Sequence, residues 1–218
     1  MPAKKRGGKE KPAQRCKIPW YLSAHADGKE NRFLQVGNVF FFGEPFRKVS
    51  VLARFVYLCM RLEAGGKNEF VFSRSAFTKY GLKQRSTTDA IEELVQSGLV
   101  TKKSGKATRT ANLYRFFEKV TWPGENFIQI GNSVFFSINF KTLSPGERLM
   151  YLCLAHKAGG ASEIDFPNTD FPRYGFSERT AWRYLRDLEK AGFVGRNSGR
   201  YCWAPSRYKF KPAVKMTG

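Results

Sequence analysis

Apolar and polar positions follow the same order twice along the chain, with the two copies 94 residues apart. In the second copy, "FIQIGNSVFF" (127–136) is β-branched and aromatic around a Gly-Asn pair, which predicts a strand or a short hairpin. The segment "SPGERLMYLCLAHKAGG" (144–160) predicts a helix with one buried face, because apolar residues recur at helical spacing. The predicted buried positions are Leu149, Leu152, Cys153 and His156.

Both ends of this helix have recognisable signals. Ser144 is placed to cap the start, Pro145 suits the first helical position, and Glu147 stands where a capping box requires it. The glycine pair at 159–160 predicts the end of the helix. The sequence therefore predicts both the start and the end of this helix.

The remaining elements follow from shorter patterns. "EIDF" (163–166) predicts a short strand, and "NTDFPRYG" (168–175) predicts a short helix closed by glycine. A third helix is predicted over "SERTAWRYLRDLEK" (177–190). "FVGRNSGRYCWAPSRYKF" (193–210) predicts two strands around a Ser-Gly turn.

The first copy repeats this order. "FLQVGN" (33–38) matches 127–132, and "YGLKQRSTTDAIEELVQSGLV" (80–100) matches "YGFSERTAWRYLRDLEKAGFV" (174–194). Such duplication predicts two copies of one domain. The predicted divisions are a basic, largely disordered tail (1–30), domain 1 (31–118), a linker (119–125), domain 2 (126–210) and a C-terminal tail (211–218). Within the N-terminal region, "IPWYLSAHADG" (18–28) is apolar enough to pack on domain 1.

Helix, strand, helix, glycine turn, helix and hairpin is the order of a winged helix-turn-helix, an α+β fold. In "SERTAWRYLRDLEKAGFV" (177–194), the polar cap, Arg-Thr start, "L..LE..G" pattern and apolar strand resemble bacterial winged-helix DNA-binding proteins. The layout is similar to that of regulators and of tandem winged-helix plasmid replication initiators. The resemblance implies two tandem winged helix-turn-helix domains that bind DNA. It specifies the fold more strongly than the biological role.

The third helices of the two copies differ in charge. Helical spacing predicts that the buried side holds Ala181, Tyr184, Leu185 and Leu188 in the second copy and Thr87, Ala90, Ile91 and Leu94 in the first. On the opposite side the second copy places Arg179, Arg183, Arg186 and Lys190, where the first copy has Arg85, Asp89, Glu92 and Gln96. A carboxylate in a major groove lies in the negative potential of the phosphates and favours binding only where it accepts a hydrogen bond from cytosine N4. An arginine can instead donate two hydrogen bonds to guanine O6 and N7. We therefore expect the second copy to supply most of the base discrimination within a composite site of about two helical turns.

The predicted DNA contacts fall in four sets. In the second copy they are Ser177, Arg179, Thr180, Trp182, Arg183, Arg186 and Lys190. In the first copy they are Lys83, Gln84, Arg85 and Thr88. The predicted wing contacts are Lys102, Lys103, Lys106, Arg109, Arg196 and Arg200, and those of the tail are Lys4, Lys5 and Arg6.

Alternatives to these contacts stay open. The arginine face could be a solvated surface with Arg183–Asp187 and Arg186–Glu189 pairs, and the wings could be solvated hairpin tips. Trp182 could wedge into the interface, or pack on domain 1 or on its own wing. In the first copy, the acidic face of the third helix could dock domain 2, mediate self-association or bind a partner protein.

Composition narrows the function classes. The net charge is +20, which attracts polyanions, and nucleic acid is the commonest such partner. No run is long and apolar enough for a membrane span, and the basic start "MPAKKRGGKEKPAQR" lacks the apolar segment of a secretory signal. Scattered cysteines indicate a reduced compartment. We expect a cytoplasmic, nucleoid-associated protein with no membrane partner.

Catalytic and metal motifs are missing from the sequence. Cys59 and Cys153 fall on an apolar helical stripe, and His156 stands at the rim of that stripe, so all three suit a core. We expect no enzymatic activity, no cofactor and no metal. The predicted function is sequence-specific binding of double-stranded DNA in transcriptional regulation. The alternatives are a replication-initiation or plasmid-transfer accessory protein at an origin and, second, an RNA-binding protein.

Overall fold

The computed structural model describes residues 18–24, 32–103, 112–117, 127–197 and 205–211. Residues 32–117, called the first half, and 127–211, called the second half, each contain helices and short strands. Across the described residues the fold is mixed α/β with three small antiparallel sheets. A short 3-10 helix, Trp20–Leu22, precedes both halves.

The two halves have the same order of elements. The helices of the first half are α1 (Asn38–Phe42), α2 (Glu44–Arg47), α3 (Val51–Ala64), α4 (Arg74–Lys79) and α5 (Gln84–Gln96). Those of the second half are α6 (Asn132–Phe136), α7 (Ile138–Thr142), α8 (Pro145–Ala158), α9 (Asp170–Arg173) and α10 (Glu178–Lys190). The strands of the first half are β1 (Phe33–Gly37), β2 (Glu69–Val71), β3 (Val100–Lys103) and β4 (Leu113–Phe116). Those of the second half are β5 (Phe127–Gly131), β6 (Glu163–Asp165), β7 (Val194–Asn197) and β8 (Arg207–Phe210).

The start of α8 confirms the predicted capping box. The Ser144 hydroxyl accepts from the Glu147 amide at 3.3 Å, and the Glu147 carboxylate accepts from the Ser144 amide at 2.7 Å. Pro145 occupies the first turn, and Gly159 ends the helix with φ +56°. Only glycine adopts that conformation without steric cost. The strand at 127–131 is also confirmed, but the hairpin alternative is wrong, because 132–136 forms α6.

Each half has a three-stranded sheet at its end. In the second half β7 and β8 pair antiparallel, with Val194 opposite Phe210, as the sequence predicts for a hairpin. The strand β6 adds to the other edge of β8, and β2 does the same to β4 in the first half. The segments that join the hairpin strands, including the predicted Ser-Gly turn, lie outside the described residues.

The halves meet along equivalent elements. The strands β1 and β5 pair antiparallel with Gln35 opposite Gln129, its own counterpart 94 residues later. Helices α3 and α8, also counterparts, pack together. The Lys79 ammonium lies 4.7 Å from the Phe136 ring, and at the counterpart positions the Arg173 guanidinium lies 5.2 Å from the Phe42 ring. Because each contact recurs with the halves exchanged, an approximate two-fold axis relates them.

This packing corrects the prediction of a single buried face on α8. Met150, Tyr151 and Leu154 are buried along with the predicted Leu149 and Leu152. The helix contacts α10 of its own half on one side and α3 of the other half on another, so little of its surface is left for solvent.

The N-terminal segment corrects a second expectation. Ile18, Tyr21 and Leu22 are buried, which confirms that this part of the N-terminal region packs on the folded chain, although the sequence predicted that it would pack on domain 1. The Tyr21 ring stacks on Phe210 at 4.0 Å, and its carbonyl accepts from the Tyr151 hydroxyl at 2.6 Å. The segment therefore packs on the second half, which offers it this aromatic surface.

Candidate nucleic-acid interface

Helix α10 begins at a side-chain cap. The Ser177 hydroxyl accepts from the Thr180 amide at 3.4 Å, and Glu178 places a negative charge in the first turn, where the helix dipole favours it. The Ser177 and Thr180 hydroxyls also bond each other at 2.9 Å. Both predicted contact residues therefore serve first to start the helix.

One side of α10 is buried and the opposite side carries the cations. Ala181, Leu185 and Leu188 lie in the core. Tyr184, which was also predicted to be buried, is half-buried at the edge. The exposed side holds Arg179, Arg183, Arg186 and Lys190. The predicted division into a core face and a cationic face is confirmed, except at Tyr184.

The cations of this face have no acidic partner in the described part of the chain. No ion pair joins Arg183 to Asp187 or Arg186 to Glu189 there. The Arg183 guanidinium lies 5.1 Å from the Tyr184 ring, a contact that leaves its hydrogen-bond donors available to a ligand. The two intrahelical pairs considered as an alternative for this helix are therefore not formed in the described structure, while the face itself is exposed to solvent.

Trp182 links α10 to its hairpin. Its ring meets Phe171 edge-on at 5.6 Å, and the Arg196 guanidinium lies over it at 4.6 Å. Arg196 Nε also donates to the Ser206 hydroxyl at 3.1 Å. Trp182 thus packs on the β7–β8 hairpin of its own half, which is one of the placements considered from the sequence. This stack holds Arg196 of β7 beside α10.

A small cavity lies at this junction. Its volume is about 240 Å³. It is lined by Trp182, Leu185, Arg186, Glu189, Arg196 and Tyr208. Arg186 of α10 and Arg196 of β7 share its wall with Glu189, so cations of the helix and of the hairpin lie around one cavity.

Helix α5 has the same packing and the opposite outward chemistry. Thr87, Ala90, Ile91 and Leu94 are buried, as predicted. Lys83, Gln84, Arg85 and Thr88 are exposed at its start, but so are the carboxylates Asp89 and Glu92. The Thr88 hydroxyl donates to the Gln84 carbonyl at 3.0 Å. The outward face of α5 therefore combines one arginine with two acids.

Glu93 of α5 has a structural role. Its carboxylate accepts from the Ser50 amide at 2.5 Å and from the Ser50 hydroxyl at 2.6 Å, which closes the start of α3. In the second half, the start of α8 is capped instead by Glu147, a residue of α8 itself. Glu93 thus ties α5 to the central helix of its half.

The other predicted contacts are only partly described. Lys102 and Lys103 are exposed on β3, and Arg196 is exposed on β7. Lys106, Arg109 and Arg200, together with Lys4, Lys5 and Arg6 of the tail, lie outside the described residues.

His156 and the cysteines have core environments. His156 Nε2 bonds Asn38 Oδ1 of the other half at 2.7 Å, and Nδ1 bonds the Tyr174 hydroxyl at 2.9 Å. Burial lowers the His156 pKa to about 4, so the ring is neutral near pH 7. Cys59 and Cys153 are fully buried, and burial raises the pKa of both thiols. These groups stabilise the packing between and within the halves.

Metal and membrane features can be judged for the described ranges. Within them, no group of three or more His, Cys, Asp or Glu side chains could hold a metal ion. None of the helices in those ranges has the length and apolar character needed to cross a bilayer.

Two buried arginines are not apparent from motif patterns. Arg54 and Arg148 occupy equivalent positions on α3 and α8, each 1% exposed. The one available signal was an arginine at the same place in two largely apolar stretches, "VLARFVYLCM" and "PGERLMYLCL".

Comparison of the chain with protein-family models and with curated proteins gave no match in either case.

Proposed function

We propose that the protein binds double-stranded DNA sequence-specifically through two tandem winged helix-turn-helix domains, and regulates transcription by doing so. The observation that carries the proposal is the outward face of α10. Its four cations are exposed and have no ionic partner within the described residues. An excess of unpaired cations on one helix face is the electrostatic signature of a phosphate-rich ligand.

The surroundings of α10 support this assignment. It follows α9 across the Gly175 turn and precedes the β7–β8 hairpin, which is the place of a recognition helix in a winged helix-turn-helix. Base contacts usually come from the N-terminal part of such a helix. We therefore assign Arg179, Thr180 and Arg183 to bases, and Arg186 and Lys190 to phosphates.

The two-fold relation between the halves supports a regulatory site. Proteins with two-fold symmetry bind inverted half-sites, and operators share this symmetry. Because α5 has two exposed acids where α10 has arginines, its half-site would be read more weakly. The expected target is an imperfect inverted repeat with one strong half. Direct repeats, which would favour the origin-binding alternative, match this geometry less well.

The test uses the full chain and duplexes selected from a random library. Arg179→Ala and Arg183→Ala are each expected to weaken binding to the selected duplex about 5- to 150-fold, the range for one bidentate base contact. Binding to a scrambled duplex should fall much less. Lys48→Ala, which removes the exposed charge that follows α2, is the control and should bind nearly as the parent does.

Two results would overturn the assignment. Equal losses on selected and scrambled duplexes would mean that the arginines contact only phosphates. Structured RNA that displaces the protein from its selected duplex at stoichiometric concentration would point to the RNA-binding alternative instead.

A further inference from the structure

Arg54 and Arg148 are buried cations without acidic partners in the described chain. Each is 1% exposed, and no carboxylate lies within ion-pair distance of either guanidinium there. Burial lowers the pKa of both groups. A buried charge is retained only where hydrogen bonds compensate it, so the acceptors of these arginines are informative.

Each arginine has one acceptor in the opposite half. Arg54 Nη1 donates to the Tyr174 carbonyl at 2.6 Å, and Arg148 Nη1 donates to the Tyr80 carbonyl at 2.6 Å. Tyr80 and Tyr174 are the residues that end α4 and α9. Arg54 thus reaches from α3 to the turn that leads into α10. Arg148 reaches from α8 to the turn that leads into α5.

The turns are shaped to receive the guanidinium groups. Gly81 and Gly175 follow the two tyrosines with φ +64° and +77°. A Cβ on Gly81 would lie 3.2 Å from Arg148 Nη2, and one on Gly175 would lie 3.1 Å from Arg54 Nη1. Glycine is needed at both positions for its backbone conformation and for this close approach.

The two arginines differ in their other contacts. Arg148 also donates to the Leu143 carbonyl at 2.8 Å and to the Lys141 carbonyl at 2.6 Å. Arg54 Nε and Nη2 have no hydrogen-bond partner among the residues that the structure describes. Its guanidinium lies instead between the Phe40 ring at 5.5 Å and the Phe176 ring at 5.9 Å. Arg54 therefore depends more on the Tyr174 carbonyl and on Phe176, which immediately precedes the cap of α10.

We propose that Arg54 and Arg148 are crossed positioning residues, each of which holds the third helix of the opposite half in place. Arg54, on the first half, sets the start of α10, and Arg148, on the second half, sets the start of α5. The consequence for DNA rests on the function proposed above: the two reading helices are coupled, and neither half presents its helix correctly alone.

The test measures amide hydrogen exchange in the full chain without DNA. The reporters are the amides of Leu82 and Phe176, which bond the Phe77 and Phe171 carbonyls at 2.9 and 3.0 Å inside the two turns. Arg148→Lys should speed exchange at Leu82 about tenfold and leave Phe176 unchanged. Arg54→Lys should do the reverse. Tenfold corresponds to ~1.4 kcal/mol, within reach of one lost charge-assisted bond.

Three outcomes decide against the proposal. They are faster exchange at the turn of the variant's own half alone, equal acceleration at both turns, and no acceleration at either turn. If a lysine variant loses cooperative unfolding, the neutral Arg→Gln variant replaces it, because it buries no unpaired charge. Loss of cooperative unfolding there as well would overturn the proposal, since the arginine would then support the whole fold.

A DNA arm separates this inference from the proposed function. With single base substitutions in the selected duplex, Arg54→Lys should weaken discrimination about tenfold at positions read by α10, and Arg148→Lys should do so at positions read by α5. Crossed exchange effects in a protein without sequence-specific binding would refute the DNA proposal alone. Specific binding with uncrossed effects would refute the positioning proposal alone.

Discussion

Helices α5 and α10 occupy the same place in the two halves and present opposite chemistry. Their buried positions correspond closely, from Thr87 and Ala181 to Leu94 and Leu188. Their outward positions do not, since Asp89 and Glu92 stand where α10 has Arg183 and Arg186. Packing constrains only the inward residues, so the outward face was free to change its charge without a change of fold. The chemistry that differs is therefore the best guide to what each half does.

Charge reversal on α10 should have the largest effect. Arg179→Glu combined with Arg183→Glu removes the two base contacts proposed for α10 and would put carboxylates against phosphates, so affinity for the selected duplex should fall about 10²- to 10⁴-fold. Fluorescence anisotropy measures this, and the free energy of unfolding should stay within ~0.5 kcal/mol because both positions are exposed. Arg85→Glu on α5 is the matched control, with an expected loss of about tenfold or less. Equal losses in the two halves would remove the distinction between the helices.

Giving α5 the charges of α10 should have the opposite effect. Asp89→Arg with Glu92→Arg is expected to raise affinity for any duplex about tenfold and to steepen the salt dependence by about two phosphate contacts. Binding titrations at several salt concentrations measure the slope. The neutral pair Asp89→Gln and Glu92→Gln should give an intermediate slope. An unchanged slope in the arginine variant would show that α5 does not approach the duplex.

His156 gives the halves different pH responses. The first half has Leu62 at this position. The folded-state pKa of about 4 lies below the ordinary value of 6.5, so the unfolded chain binds more protons between these values. Stability from this group is therefore complete above pH 6.5 and is lost as the pH falls towards 4. Because the ring is partly exposed, we expect a loss of ~1–2 kcal/mol.

The variant His156→Leu isolates this effect. Urea unfolding of the parent and the variant at pH 7 and at pH 4.5 should show that the parent loses more stability than the variant on acidification. A difference between the two proteins that stays constant with pH would contradict the account of His156.

The smallest expected effect concerns the caps of the central helices. Glu93→Ala removes the acceptor of the Ser50 amide and hydroxyl, and should lower the free energy of unfolding by ~1 kcal/mol. Asp187→Ala, at the counterpart position, should change it by less than ~0.5 kcal/mol, because α8 is capped by Glu147 instead. Urea midpoints measure both. Equal losses in the two variants would mean that the starts of α3 and α8 are not capped by different residues.

Much of each half could be predicted from local pattern. The Ser144–Glu147 box, the buried side of α5 and the paired strands β7 and β8 follow from spacing that involves only neighbouring residues. The exposed cations of α10 follow in the same way. Helical periodicity indicates which side of a helix faces inward, and for α5 and α10 this was enough to predict the outward residues.

The junction of the halves could not be predicted in this way. Nothing in "FLQVG" (33–37) indicates that it pairs with its own counterpart at 127–131, and a single helix pattern does not show that α8 is buried on a second side. Arg54 and Arg148 look like surface residues or interruptions until the opposite half supplies their acceptors. These features depend on which surfaces meet in space, and their signal is spread over both copies.

The most direct measurement for the α10 assignment is guanine N7 methylation interference on the selected duplex. If Arg179 and Arg183 bond guanine in the major groove, methylation of one or two guanines in the strong half-site should block binding of the parent protein. The Arg183→Ala variant should become insensitive to methylation at one of those guanines. Binding that tolerates N7 methylation throughout, or a variant with the same interference pattern as the parent, would contradict the account.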